Sequence, residues 1–352
     1  LCYTPENIYY LTGYSTTGYY VYQCLIVPVE QDLVMVTREL ETPNVVYGTW
    51  LEHYRTFKDT EDPVETTCGA LAEYGLESKR VGFETTSWFL QQRDYEKTVS
   101  MLSKAKIGDG TNLVEEGRVV KSPKEIDCMR KGAEIVVKGM KAGIDASRPG
   151  VTENDVAAEV TKALISNGSL YFAGQPYVCS GDRTAIGHAT WAGRRMEARD
   201  PVFFEISANV RRYSTALMRT ITLGEPDADV KRLADASLAG LNAAIEAIKP
   251  GTSSGDVDNA CRSAVLRAGC GENFHHRTGY SIGIGFPPGW GEGHIFDLKP
   301  DDPRVLKPGM TFHLVPVLFI DGKVGVGFSE TVLVTETGCE PLAKYPRELI
   351  VV

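Results

Sequence analysis

PVFFEISANVRRYSTALMRT, residues 201–220, decides the fold. It reads as two strands joined by a short polar turn. Val202, Phe203 and Phe204 form an apolar run that ends on a carboxylate, Glu205. The second run carries Tyr213, Leu217 and Met218 and closes on Arg219. An acid at the end of an apolar strand is costly unless it is paired or used. Two readings follow: a buried salt bridge from Glu205 to Arg212 or Arg219, or an acid kept for chemistry.

Working outward, the chain repeats itself around this hairpin. RPGVTENDVAAEVTKALISNG (148–168) and KPGTSSGDVDNACRSAVLRAG (249–269) share one template: a basic residue, Pro-Gly, a Thr or Ser cap region, Asp-Val, a helix, then a small residue and Gly. Each copy precedes strand-like sequence, SLYFAGQPYVCSGD and PVFFEIS after the first, TGYSIGIGF and TFHLVPVLFI after the second. A spacing this long indicates a duplicated half-domain rather than a solenoid. Two such halves pack their strands into one sheet backed by helices, and the cleft between them is the natural place for chemistry. Upstream, Ser122, Pro123 and Glu125 open a long amphipathic helix. Before that, CLIVPV, LVMVTREL and VGFET read as strands and ETTCGALAEYGLESKR as a helix, with a junction over 111–121. The expectation is an α+β chain of two domains: a small α/β domain over 1–111 and a pseudo-symmetric domain over 112–352.

Length and composition agree. The 352 residues suffice for two domains, and 43% hydrophobic with 24% charged residues is the balance of a soluble globular protein. A net charge of −9 argues against nucleic acid or an anionic membrane as partner. No apolar run approaches the roughly 20 residues of a membrane span. Eight scattered cysteines without a CxxC pair read as reduced thiols and place the chain in the cytoplasm.

Several side chains are candidates for chemistry. His188 lies in a Gly-rich polar loop, SGDRTAIGHATWAG, just before the strand that ends on Glu205. Glu330 sits between Phe328 and Val332 in a β-rich run, a second carboxylate in apolar surroundings. His275 and His276 flank YSIGIGF, and Trp290, Glu292 and His294 cluster in FPPGWGEGHIF; such loops line sites or decorate surfaces. His313, in TFHLVP, reads as a satisfied sheet residue. Tyr9, Tyr10, Tyr14, Tyr19, Tyr20 and Tyr22 exceed what one strand pair can bury, and divide between core and a subunit or substrate surface.

Taken together, YLTGY, RVVKSPKEID, LKPGMTFHLVP and SETVLVTETGCEPL resemble the pita-bread family, which includes methionine aminopeptidase, Xaa-Pro aminopeptidase, prolidase and creatinase. The resemblance covers nearly the whole chain and implies a creatinase-type N-terminal domain followed by a pita-bread domain, an antiparallel curved sheet backed by helices. The metallopeptidases of this family use Asp, Asp, His, Glu and Glu as metal ligands. Carried over, these positions hold Glu205, Ala216, Tyr280, Val315 and Glu330. Two carboxylates do not make a dinuclear site, so no metal and no cofactor is expected. The family's metal-free members, creatinase and ectoine hydrolase, hydrolyse a guanidine and a cyclic amidine. His188 matches creatinase's loop histidine, while RRYSTALMRT looks closer to ectoine hydrolase, because creatinase has Glu where Met218 stands.

The resemblance therefore implies a metal-independent hydrolase of a small amidine or guanidine. Glu205 acts as nucleophile or base, and His188 carries the proton to the leaving nitrogen. Glu330 pairs with the cationic substrate or orients Tyr280, and Tyr280 hydrogen-bonds the substrate. Tyr213, His275 and His294 join the substrate pocket, which a homodimer completes with Tyr19, Tyr22 and Gln23 of the partner's N-terminal domain. Two other readings stand beside this one. The first is an Xaa-Pro peptidase with a metal site rearranged onto His294, Glu292 and His313. The second is a non-catalytic binding module.

Overall fold

A computed structural model describes residues 1–352, and the chain divides into two units, Leu1–Arg118 and Val119–Val352. The first unit runs α1 (Pro5–Thr12), β1 (Cys24–Ile26), β2 (Val34–Arg38), α2 (Thr42–Gly48), β3 (His53–Phe57), α3 (Pro63–Glu73), β4 (Arg80–Phe83), α4 (Gln92–Met101), β5 (Lys106–Asp109) and α5 (Glu115–Val119). Strands β1, β2 and β3 form one sheet, and β4 pairs with β5 in parallel. Tyr3, Val36, Phe57, Leu71 and Phe83 fill the core. The expected boundary at 111/112 falls too early. The Asn7 side chain donates to Glu115 at 2.7 Å and accepts from Arg118 at 2.6 Å, which ties α5 back to α1.

Much of the tyrosine cluster belongs to this unit's own packing. Tyr14 shares a hydrogen bond with Thr37 at 3.1 Å. Tyr22 spends its hydroxyl on Thr67 at 2.8 Å and stands edge-on to Tyr3 and Phe57. Tyr19 packs edge-on against Phe89, and Gln23 is buried. Tyr22 thus packs, half-buried, against the core of this unit.

The second unit runs α6 (Pro123–Ala146), α7 (Glu153–Ser166), β6 (Tyr177–Ser180), β7 (Pro201–Val210), β8 (Tyr213–Thr222), α8 (Ala228–Ala247), α9 (Ser254–Arg267), β9 (Gly279–Phe286), β10 (Gly289–Gly291), β11 (Asp297–Leu298), β12 (Thr311–Leu314), β13 (Val317–Ile320), β14 (Val324–Gly327), β15 (Glu330–Val334), β16 (Cys339–Pro341) and β17 (Ile350–Val351). The repeated sequence template gives the matched helices α7 and α9. Thr152 caps the Asp155 N–H at 3.2 Å, and Ser253 caps that of Asp256 at 3.0 Å. The Pro-Gly turns before them put Gly150 and Gly251 at φ of 91° and 85°, a region that favours glycine.

The main sheet has the order β16-β15-β12-β9-β8-β7-β6. Every pair along it is antiparallel, and β17 joins β8 in parallel. One core packs α6 and α7 against β7 and β8; the other packs α8 and α9 against β12 and β15. Between the halves, β8 and β9 share a single pair, Tyr213 with Ile284. Side chains close the seam instead. Arg211 and Arg212 form the β7–β8 turn with φ of 47° and 63°, strained for arginine. The Arg212 guanidinium offsets that cost by stacking 3.9 Å over Tyr171 and donating to the Tyr171 carbonyl at 2.6 Å and the Gly285 carbonyl at 3.1 Å.

Helix α6 lies close on the sheet because Gly139 and Gly143 face it. A Cβ on Gly143 would stand 2.7 Å from Val160 and 2.8 Å from Phe204. Gly143→Val should therefore cost about 1–3 kcal/mol by overpacking. The expected result is a lower urea midpoint with an unchanged slope; an unchanged midpoint would mean that the helix has room to spare.

Candidate active site

Glu205 on β7 stands opposite Tyr177 of β6 and Met218 of β8. Directly opposed residues share a face, and neighbours along a strand alternate. Phe204, Ile206 and Leu217 therefore pack with the helices, whereas Met218 joins Phe203, Val315, Val317, Tyr280 and Phe319 on the other face, beside Glu205. Ala216, two residues before Met218, is fully buried.

Glu205 is 8% exposed, and its carboxyl has no ion pair or hydrogen bond from the chain. Neither arginine considered for it is available. Arg212 is engaged at the seam, and Arg219 pairs with Glu330 at 2.7 Å. Burial alone pushes the Glu205 carboxyl up to about 8. Burial also raises the phenols of Tyr177 and Tyr280, and the Glu205 charge beside both rings raises them further.

Tyr280 on β9 anchors a hydrogen-bonded chain. Trp290 Nε1–H donates to its hydroxyl at 3.1 Å, and His313 Nδ1 lies 3.0 Å from it. His313 Nε2 lies 2.7 Å from Ser329 Oγ, which accepts from the Met218 N–H at 2.7 Å. Burial, aided by nearby His276, pushes His313 down to about 3, so the imidazole is neutral. Tyr177 meets Trp290 on one side and His188 on the other, with ring centroids 5.6 Å apart in each case.

Two buried ion pairs set the loops. Glu153, at the start of α7, accepts from Ser180 N at 2.8 Å, Ser180 Oγ at 3.0 Å, Ala192 N at 2.9 Å and the Arg183 guanidinium. It grips both ends of the loop that carries His188, an exposed residue at φ 60°. Lys121 donates to Glu292 at 2.9 Å, each 1% exposed, and Glu292 N–H donates to the Ser281 carbonyl at 2.6 Å. These bonds hold the loop of Trp290 against β9.

Of the residues singled out in the sequence, Glu205 and Tyr280 come together, and His188 reaches them through the ring of Tyr177. Glu330 does not join them. It stands opposite Leu314 on the helix side, where Arg219 pairs with it, and Ser329, the residue just before β15, is the one that bonds His313 and the Met218 N–H. Burial raises the Glu330 carboxyl and Arg219 partly lowers it again. Tyr213 also lies on the helix side, donating to Glu125 of α6 at 2.7 Å. His275 is exposed; its neighbour His276 packs near the Tyr280 ring instead. His294 is exposed in its loop. Tyr177 and Ser329 were missed, and His313 was read only as a satisfied sheet residue or a ligand of a rearranged metal site. Each carried a weak signal, a polar group alternating with apolar neighbours, but which face it served depended on strand partners.

The comparisons agree with this architecture. Residues 127–336 match the model described as metallopeptidase family M24, and residues 1–120 match the creatinase/prolidase N-terminal domain. The chain is 30% identical to ectoine hydrolase of Halomonas elongata, covering 99% of this chain and 91% of that protein. Among solved structures it resembles the prolidase of Pyrococcus horikoshii (TM-score 0.84, 26% identity, 99% of this chain and 94% of that one). The fold is also that of the X-Pro aminopeptidase of Thermotoga maritima (TM-score 0.88, 22% identity, 99% and 93%).

The unpaired carboxyl makes stability fall with pH. The unfolded chain releases the Glu205 proton near the ordinary 4.5, the folded chain only near 8, so stability is lost as pH rises between these values. Glu205→Gln removes the titration. The variant should match the parent near pH 5 and exceed it by roughly 3–4 kcal/mol above about pH 8, at about 1.4 kcal/mol per pH unit. Urea unfolding at the two pH values measures this; equal gaps at both would show that Glu205 is not desolvated.

Proposed function

Because the chain belongs to metallopeptidase family M24 and is a hydrolase of carbon–nitrogen bonds, we propose that it opens a small cationic amidine or guanidine without using a metal ion. One observation carries this reading: Glu205 is a buried carboxyl that lacks a counter-ion. Its surroundings are aromatic, with Tyr177, Tyr280 and Trp290 linked ring to ring and by hydrogen bonds. An amidinium supplies both a positive charge and N–H donors, and aromatic faces favour a cation. Its arrival makes the ionised form of Glu205 the stable one.

The family name implies a metal, and the side chains present do not fit one. Ala216, Met218 and Val315 are apolar, Glu330 is engaged with Arg219, and no three His, Cys, Asp or Glu side chains converge in this chain. Glu292 is committed to Lys121, which counts against a site rebuilt on Glu292, His294 and His313.

In the proposed reaction the Glu205 carboxylate acts at the amidinium carbon, as nucleophile or by taking a proton from attacking water. A carbon between two nitrogens is already electrophilic, so Lewis-acid help is dispensable. Tyr280 donates a hydrogen bond to the nitrogen that regains its lone pair in the tetrahedral adduct, and His188 delivers a proton to the leaving nitrogen. A cytoplasmic homodimer completes the reading. The exposed Tyr47, Trp50 and Trp88 of the first unit support association, and the net charge of −9 counts against nucleic acid.

With a cyclic amidine such as ectoine as substrate, Glu205→Gln and His188→Ala should each lower kcat by about 100-fold or more. Chelator should leave the parent's rate unchanged. The acid limb of kcat/KM should lie near pH 8, where free Glu205 ionises, and that of kcat lower, because the bound cation favours the carboxylate. Hydrolysis of Xaa-Pro dipeptides that chelator abolishes would overturn the reading in favour of a peptidase.

A further inference from the structure

His313 stands directly opposite Tyr280 across β12 and β9, and it is fully buried. Its two ring nitrogens touch two hydroxyls, Tyr280 Oη at 3.0 Å and Ser329 Oγ at 2.7 Å. A neutral imidazole carries one proton, so one nitrogen donates and the other accepts. The neighbours decide which. Ser329 Oγ already accepts from the Met218 N–H, and its only other hydrogen-bond neighbour is His313 Nε2. With the proton on Nε2, the Ser329 hydroxyl hydrogen would be buried without an acceptor. With the proton on Nδ1, the Ser329 O–H donates to Nε2 and every group in the chain is satisfied.

The same accounting fixes the phenol. Tyr280 Oη then accepts from Trp290 Nε1–H and from His313 Nδ1–H. Its own proton has no acceptor left within the chain. It is free for an acceptor on the face that Tyr280 shares with Glu205. In the other tautomer the phenol would donate to His313 and offer that face only lone pairs.

We propose that His313 is a positioning residue: held with its proton on Nδ1 by Ser329, it forces Tyr280 to present its hydroxyl as a donor to the tetrahedral adduct formed from the substrate. The role rests on the amidine-hydrolase reading; the tautomer does not. As water or the Glu205 carboxylate adds to the amidinium carbon, electron density moves onto the ring nitrogens, and a fixed O–H donor there stabilises the tetrahedral state. Burial supports the arrangement, since it keeps His313 neutral and Tyr280 protonated.

The test is a two-bond proton–nitrogen spectrum of the full chain labelled in its six histidines, recorded without substrate. His313 is identified by the signals lost in His313→Asn or, should that variant not fold, by those that move in Ser329→Ala. The expected pattern is the Nδ1–H tautomer in the parent, shifting toward Nε2–H in Ser329→Ala. In turnover, Ser329→Ala should lose about tenfold in kcat with KM changed less than about twofold. An Nε2–H pattern in the parent, or a parental kcat in Ser329→Ala, would overturn the proposal. If Glu205→Gln proves that the hydrolase reading is wrong, the spectrum still decides the tautomer.

Discussion

The buried pair of Arg219 with Glu330 is the contact on which the second unit depends. The sheet is nearly open between β8 and β9, and this pair ties β8 to β15 across the gap. The guanidinium donates to the carbonyls of Met218 at 2.8 Å, Ser329 at 2.7 Å and Pro346 at 2.7 Å, and to Glu330. Two charges removed from water stabilise little by themselves, but losing one partner leaves the other stranded at a cost of about 3–5 kcal/mol. The geometry it enforces matters more. With β15 locked beside β8, Ser329 meets the Met218 N–H and Thr331 bonds the Ala216 backbone. The hydrogen-bonded chain to His313 and Tyr280 begins there.

That clamp also explains why Glu205 is left alone. Arg219 is the cation next to it in the hairpin, but strand alternation turns Arg219 to the helix side and gives it to Glu330. Glu205 keeps the burial without the compensation. At neutral pH it costs the fold stability to keep Glu205 protonated, and a cationic ligand relieves that cost by stabilising the carboxylate. Stability and function draw on the same desolvation, in opposite directions.

Rigid supports surround this site. Glu153 satisfies four donors from the loop of His188, and Lys121 with Glu292 fixes the loop of Trp290. His188 adopts φ 60°, an uncommon conformation for a non-glycine residue, and the anchors on either side of it sustain it. Tyr177 and Trp290, which meet ring to ring, thus lie beside segments whose backbones are held by buried charge.

The sequence by itself determined the local features. Apolar runs, the two-residue polar turn, and the repeated Pro-Gly, cap and helix template depend on periodicity and on contacts a few residues apart. These identified the hairpin, the duplicated halves, and Glu205 as an acid without an apolar excuse. Only the tertiary structure decided the rest. Whether Arg219 served Glu205 or Glu330, whether Glu330 or Ser329 faced the site, and whether Tyr213 joined it all turned on which face each strand presented to a distant partner. The unit boundary turned on Asn7 reaching Arg118 across 111 positions. His313 looked like an ordinary sheet residue because its meaning lies in Tyr280 and Ser329, which reach it only through strand register. A side chain's type is local, but its direction within a sheet is set by pairing, and pairing is not written in any single stretch of chain.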